Sequence, residues 1–278
     1  MQAQGWDDVQ IKSNKVASNI YYLEGRGGNI GVLVGTDGVL LIDDQFAVLS
    51  EKIMNAVKEI TDAPITYIIN THYHGDHTGG NENFKKEDVE IMAHKNVRAR
   101  LAITFEDEIR GVTQKAKPES FWPTMDIPFN EIGLKLYDEE FDIVHVPSTH
   151  TDGDMIVHFK KANVIHTGDA FVRYGFPFID VAAGGSIDGF IAAQEKILSL
   201  ADANTKIIPG HGGMSSIDDV NELLTMLKEA KDIIESEKTS GVALEDLIPK
   251  NPLKEYHDRW NGSFITTDLF VQLVYESL

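Results

Sequence analysis

The sequence contains no cysteine, so neither a disulfide bond nor a thiolate metal ligand can contribute to its structure. Basic residues are also few: 25 Lys and Arg stand against 44 Asp and Glu, and the formal net charge is −19. This balance disfavours nucleic acid and anionic membrane surfaces as partners, because both bind clustered positive charge. It does not oppose the binding of a divalent cation.

Long apolar runs are absent too, and no segment approaches the length of a transmembrane helix. Residues 1–10 lack the apolar stretch of a signal peptide, so the chain as written is expected in the cytoplasm. If Met1 was added to a chain trimmed of its signal peptide, we expect a periplasmic or secreted protein instead. No linker or short repeat interrupts the sequence, and 42% of its residues are hydrophobic. We therefore expect residues 1–278 to form a single α/β domain.

The densest group of polar residues lies in residues 70–79, which read Asn-Thr-His-Tyr-His-Gly-Asp-His-Thr-Gly. An apolar run, residues 65–69, precedes this segment and predicts a buried strand, while the glycines predict a loop. Ligands tend to bind at the carboxyl ends of strands in open α/β sheets. Imidazole and carboxylate are good ligands for zinc and similar divalent ions. The sequence therefore predicts a metal site formed by His72, His74, Asp76 and His77.

The pattern His72-x-His74-x-Asp76-His77 resembles the metal-binding motif of the metallo-β-lactamase superfamily. Three further metal positions of that family find matches here in the same order, namely His150, Asp169 and His211. The resemblance implies that His72, His74 and His150 hold a first ion, that Asp76, His77 and His211 hold a second, and that Asp169 bridges them. It also implies an αββα sandwich, in which two mixed β-sheets pack face to face with helices on the outer faces.

The same resemblance implies a hydrolase with two zinc ions per chain, acting on a small-molecule substrate. A metal-bound hydroxide would attack the carbonyl of a cyclic amide (including a β-lactam), a lactone or an ester, and Asp76 could pass a proton to the leaving atom. A serine hydrolase is not indicated, because no G-x-S-x-G is present. Two alternatives stay open: a mononuclear-iron dioxygenase of the persulfide-oxidising type and a glyoxalase II-like thioesterase. No feature of the sequence indicates an oligomeric state.

Departures from the family pattern narrow the set of family branches that the chain can resemble. The lack of cysteine excludes those β-lactamases that have a Cys ligand at the bridging position. Asp169 at that position is more like glyoxalase II and the lactonases. Flavin-coupled diiron reductases carry Glu where His74 stands.

Several residues around the motifs are candidates for supporting roles. Asp43 and Asp44 follow residues 39–42, which are predicted to form a strand, and such a pair is either a solvated turn or helix cap or a carboxylate that orients a metal-bound histidine. The family resemblance favours the orienting role for Asp43. Residues 111–130 are predicted to be irregular and to form either a lid or a plain surface loop. His145, His158 and His166 lie within predicted strands and are expected to be structural. Candidates for contact with the substrate, with Arg173 proposed for a carboxylate, are Phe46, Trp122, Arg173, Tyr174, Phe176 and Phe178.

Overall fold

The computed structural model describes residues 5–262 and 264–278. Residues 1–4, which bear on whether Met1 was added to a trimmed chain, lie outside the described part. The strands are β1 (Lys12–Lys15), β2 (Ile20–Glu24), β3 (Ile30–Val34), β4 (Val39–Ile42), β5 (Ile65–Asn70), β6 (Glu90–His94), β7 (Phe105–Asp107), β8 (Val112–Gln114), β9 (Met125–Ile127), β10 (Glu131–Leu136), β11 (Glu139–His145), β12 (Met155–Phe159), β13 (Val164–His166) and β14 (Lys206–Ile208). The helices are α1 (Ser50–Ile60), α2 (Gly75–Thr78), α3 (Asn81–Lys85), α4 (Lys95–Leu101), α5 (Ile187–Leu200), α6 (Ile217–Thr239), α7 (Leu244–Leu247), α8 (His257–Trp260) and α9 (Thr267–Ser277).

Two mixed sheets form the centre of the fold. The first has the strand order β1-β2-β3-β4-β5-β6-β9; its pairs are antiparallel up to β4 and parallel from β4 onward. The second has the order β10-β11-β12-β13-β14 and is antiparallel except for the last pair. The short hairpin β7-β8 belongs to neither sheet. Within the described ranges, no helix is both long and apolar enough to cross a membrane.

Three apolar layers hold these elements together. Between the sheets, residues such as Leu40 and Ile69 of the first pack against Phe141 and Val157 of the second. The outer face of the first sheet packs against α1, and the outer face of the second packs against α5, α6 and α9. The αββα sandwich expected from the sequence is therefore confirmed. Burial of apolar area in all three layers is the main force that stabilises it.

Helix positions follow from local sequence signals. Ser186 accepts a hydrogen bond from the backbone N–H of Gly189 (3.0 Å) and so caps α5. Helix α4 ends at Leu101, and the chain then enters β7. Residues 111–130 were expected to be irregular, but they contain β8 and β9. A left-handed turn at Gly111 (φ 64°) joins β7 to β8.

One edge of the sandwich collects the carboxyl ends of β5, β11, β13 and β14. In the first sheet, β5 lies between the parallel strands β4 and β6. In the second, β13 is parallel to β14, and β11 runs in the same direction because β12 is antiparallel to both β11 and β13. The loops after these four strands are those that carry the predicted ligands.

His166, at the end of β13, is a structural histidine that connects the two sheets. Its ring is fully buried; Nδ1 accepts from the backbone N–H of Gly168 (3.2 Å), so Nε2 donates to the carbonyl oxygen of Asn29 (3.2 Å). Burial, acting against the nearby Asp43, lowers the pKa of His166 to about 4. The folded protein therefore keeps this imidazole neutral under conditions in which the unfolded chain would protonate it.

We expect this difference to make stability depend on pH. An unfolded histidine has a pKa of about 6.5, so the contribution of His166 is complete above that pH and is lost as the pH falls toward 4. The loss approaches about 3 kcal/mol, at ~1.4 kcal/mol per pKa unit. His166→Gln removes the titration, so its free energy of unfolding in urea should fall less between pH 7 and pH 4.5. The exposed His257 gives the control, His257→Gln. Parallel pH curves for wild type and His166→Gln would contradict the assignment.

Candidate metal centre

The first four candidate ligands lie on the loop and short helix that follow β5. His72 lies in the bend after the strand, His74 has extended backbone just before α2, and Asp76 and His77 lie in α2. This helix approaches the loop before β3 so closely that a Cβ on Gly28 would lie 2.1 Å from the ring of His77. Glycine is therefore required there, and the Gly25–Gly28 turn seen in the sequence serves this close approach.

The other three candidates come from the second sheet. His150 follows β11, Asp169 follows β13 in a short turn, and His211 follows β14. The side chain of Asn29, itself buried, donates to the carbonyl oxygens of Pro209 (2.9 Å) and Gly212 (2.7 Å) and so fixes the loop that carries His211. All seven candidates meet at one edge of the sandwich. They form three overlapping groups in which the ligand atoms lie within 4.8 Å of one another: His72, His74 and His150; His72, His77 and Asp169; Asp76, His77 and His211.

His74 and His150 face each other through nitrogens that both carry lone pairs. His74 Nε2 donates to Asp180 Oδ2 (2.8 Å), and His150 Nδ1 donates to the carbonyl oxygen of Phe178 (2.6 Å). These partners assign the tautomers and leave His74 Nδ1 and His150 Nε2 as acceptors only 2.7 Å apart. The third ring, His72, has Nδ1 3.0 Å from the Thr71 hydroxyl and a buried Nε2 without a hydrogen-bond partner among the described residues. Burial, reinforced by His74, lowers the pKa of His150 to about 4, so the His150 ring is neutral near pH 7.

The second half of the centre combines two imidazoles with two carboxylates. His77 Nε2 lies 3.3 Å from His211 Nε2 and 3.3 Å from Asp169 Oδ1, and His211 Nε2 lies 3.2 Å from Asp76 Oδ2. Burial favours the neutral imidazole of His211, but Asp169 and Asp76 outweigh it and raise its pKa to about 9. Burial likewise opposes the ionised form of Asp169, yet His211 and His77 hold its pKa well below the usual value. This half of the centre therefore favours cations.

The residues present fit a pair of metal ions. Unprotonated imidazole nitrogens directed at one another are unfavourable unless a cation lies between them, and both halves of the cluster have excess lone pairs or negative charge. The donor set consists of imidazole nitrogen and carboxylate oxygen, which suits zinc and related ions.

Two buried carboxylates outside the ligand set orient these rings. Asp43 Oδ2 accepts from His77 Nδ1 (2.8 Å), while its Oδ1 accepts from the backbone N–H of Thr71 (2.7 Å). The backbone of Asp43 is left-handed (φ 69°), a strained conformation for a residue other than glycine, which turns the chain at the end of β4. Asp180 binds both His74 and the hydroxyl of Tyr73 (2.5 Å). Asp43 was noted from the sequence, whereas Asp180 was missed because it lies over a hundred residues from its partner.

A cleft of about 480 Å³ opens over the ligands. Of the residues proposed from the sequence for substrate contact, Phe46, Tyr174 and Phe178 line it. Arg110, Gln114 and Phe264 also line it and were missed, although the residues that follow Asp107, Glu-Ile-Arg-Gly, are typical of a turn between short strands.

The other three candidates for substrate contact lie outside the described lining, which corrects our expectation for them. Arg173 forms an ion pair with Asp219 at the start of α6. Phe176 is fully buried and stacks on Phe270, with ring centroids 4.4 Å apart. Trp122 packs into a small apolar cluster and donates through its indole nitrogen to the carbonyl oxygen of Lys117 (2.9 Å).

Comparisons with known proteins agree with this architecture. The family model of the metallo-beta-lactamase superfamily matches residues 23–211. The chain is 25% identical over 192 residues to the probable metallo-hydrolase YqgX of Bacillus subtilis (strain 168), covering 66% of this chain and 87% of that protein. It is 30% identical over 153 residues to a hydroxyacylglutathione hydrolase of Nitrosococcus oceani, covering 53% of this chain and 48% of that protein.

Similarity to solved structures supports the fold. A metallo-beta-lactamase from Pontibacter korlensis superposes with a TM-score of 0.65 at 14% identity, covering 79% of this chain and 99% of that one. The family match spans well over half of the sequence and includes all seven candidate ligands. The chain is therefore a hydrolase of the metallo-beta-lactamase superfamily.

Proposed function

We propose that this protein is a dinuclear zinc hydrolase that cleaves a small ester, thioester, lactone or cyclic amide, with a β-lactam as one candidate. The observation that carries the proposal is the pair of facing acceptor nitrogens on His74 and His150, beside a second group in which Asp76 and Asp169 outweigh burial to raise the pKa of His211. One cation is needed in each half. Asp169 reaches both halves, since its Oδ2 lies 3.6 Å from His150 Nε2 and 3.5 Å from His211 Nε2.

Each residue has a defined task in the proposed reaction. When bound, two zinc ions polarise a carbonyl oxygen and lower the pKa of water toward ~7. Asp180 and Asp43 hold the imidazoles of His74 and His77 in the tautomer that leaves the inner nitrogen free. Asp76 is partly open to the cleft, and His77 and His211 outweigh burial to hold its pKa well below the usual value. It is therefore an ionised carboxylate, able to accept a proton and pass it to the leaving atom.

The cleft supports a small substrate with an apolar portion. Phe46, Tyr174, Phe178 and Phe264 form aromatic walls around the opening, and burial against them excludes water from the carbonyl. A thioester is consistent with the similarity to a hydroxyacylglutathione hydrolase. The alternative of a mononuclear-iron dioxygenase leaves the complete Asp76, His77 and His211 group without a role. A panel of β-lactam, lactone, ester and thioester substrates, together with the metal content, tests the proposal; one iron and no hydrolysis would refute it.

We expect two divalent ions per chain, and we expect them to stabilise the fold. A ligand that binds only the folded state adds ~4 kcal/mol at a free concentration a thousandfold above its Kd. At roughly 2–4 °C per kcal/mol, chelation should lower Tm by about 10 °C. Elemental analysis and thermal melts with and without chelator measure both quantities. A single ion, or a Tm unchanged after confirmed metal loss, would contradict the dinuclear assignment.

The variant Asp169→Asn tests whether Asp169 bridges the two ions or is only a turn residue. The substitution keeps the size but removes the charge that both halves share, so we expect weaker binding of at least one ion. Hydrolysis should fall by at least ~100-fold, the upper range for disturbing partners of a metal site. Metal titration and kcat/KM provide the measurements. Two tightly held ions with near-full activity would show that Asp169 does not bridge.

Asp180→Asn tests the orientation of His74. The amide cannot match the ionised carboxylate that accepts from both His74 and Tyr73, so we expect metal affinity to fall about 10- to 100-fold. Competition with a chromogenic chelator measures the affinity without relying on turnover. Asp188→Asn, on the exposed start of α5, is the matched control. Equal affinity in the two variants would remove Asp180 from the site.

A further inference from the structure

The hairpin β7-β8 brings Arg110 and Gln114 to the cleft. Two contacts fix its turn. Ile109 packs against the main apolar core, and Asp107 Oδ1 accepts from the backbone N–H of Arg110 (3.0 Å). Asp107 is itself buried, with 4% of its surface exposed. The position of Arg110 is therefore set by the backbone and the core, as a preorganised binding group requires.

The guanidinium of Arg110 is held on one side and free on the other. Its Nε donates to Asp107 Oδ2, and its Cζ lies 4.2 Å from the ring centroid of Phe178. Neither of these contacts is made by the terminal nitrogens, Nη1 and Nη2. Nη2 is buried and has no hydrogen-bond partner among the described residues. The side chain as a whole is 19% exposed and lines the cleft, so a molecule bound there can contact the guanidinium.

Phe178 lies between the guanidinium of Arg110 and the metal ligands. Its ring also stacks on His74 (centroids 5.9 Å apart, 23° between planes) and makes edge contacts with His150 (5.4 Å) and Phe264 (5.8 Å). Arg110 thus lies one aromatic ring away from the first group of ligands. It is also the one Lys or Arg in the described lining, where the carboxylates are Asp76 and Asp169.

The geometry points to Arg110 as the residue that binds a carboxylate carried by the substrate, a few bonds from the carbonyl that is cleaved. The inference rests on the proposed hydrolase and names its substrate class: small anionic acyl compounds. A carboxylate fits this site, because one guanidinium edge matches a single planar anion. The aromatic walls then hold the apolar chain between the carboxylate and the reacting carbonyl.

Matched ester pairs test this inference. The mono-4-nitrophenyl esters of the linear dicarboxylic acids from glutaric to suberic acid carry one carboxylate at increasing distances, and their methyl esters lack the charge. We expect the zinc-loaded protein to hydrolyse at least one acid with a kcat/KM tenfold or more above that of its methyl ester. In Arg110→Met this preference should disappear through a rise in KM of about 10- to 100-fold, because a hydrogen bond to a charged group is lost. The loss should appear in KM rather than in kcat, and kcat/KM for the methyl ester should fall much less than that for the acid.

Two further variants guard against indirect effects. Arg98→Met removes an arginine whose Nε is also paired with an aspartate, Asp126, but outside the cleft, and it should keep the preference. Arg110→Lys keeps the charge beside Asp107 and loses the planar fork, so it should fold even if Arg110→Met does not, and it should retain only part of the preference. Equal kcat/KM for acid and methyl ester in the wild type, or an unchanged preference in Arg110→Met and Arg110→Lys, would overturn the inference.

A binding measurement separates this inference from the proposed function. The corresponding 4-nitroanilides resist hydrolysis and can be titrated calorimetrically into zinc-loaded wild type and variants. If none of the esters is cleaved, the proposed hydrolase fails, yet tenfold tighter binding of an anionic anilide to wild type than to Arg110→Met still supports carboxylate recognition. Absence of binding to the wild type, or equal binding to both proteins, would overturn it.

Discussion

Seven side chains direct their donor atoms into one small buried volume, and the crowding of lone pairs and carboxylates there is the constraint on which the rest of this structure depends. His74 and His150 cannot both present lone pairs at 2.7 Å without a cation, and Asp76 and Asp169 add negative charge next to them. The fold maintains this unfavourable arrangement because each ring is fixed from behind. Asp180, Asp43 and the carbonyl of Phe178 accept the outer protons of three of the rings. Buried groups arranged in this way lose stability when alone and gain it with metal.

The two sheets have different tasks in maintaining that arrangement. The first supplies four ligands from one continuous loop and helix after β5, so their relative positions are set locally. The second supplies His150, Asp169 and His211 from three loops whose positions depend on how the sheets pack. His166 and Asn29 cross this junction with backbone hydrogen bonds, which ties the geometry of the centre to the sheet interface. A change in sheet packing would therefore disturb both halves of the centre, because each combines ligands from the two sheets.

The sequence predicted the features that depend on local pattern and failed where distant packing decides. The ligand motif after β5 follows from a short segment, and the αββα sandwich and the role of Asp43 followed from the family resemblance. Arg173 was a reasonable candidate for an anion site, but Asp219, forty-six residues away, pairs with it. Arg110 and Asp180 were missed because their environment is created by Phe178, Tyr73 and His74 from elsewhere in the chain. Phe176 and Phe178 cannot be told apart in sequence, yet one is in the core and the other lines the cleft.

The hairpin that carries Arg110 pairs with neither sheet, and this isolation has a consequence for how such enzymes diversify. Its strands have three residues each, and no register in the sandwich depends on them. We expect changes in the hairpin that keep Ile109 in the core to leave the strand order of both sheets intact. The hairpin that contacts the substrate can therefore change by small insertions or substitutions, while the metal ligands that perform the reaction stay the same.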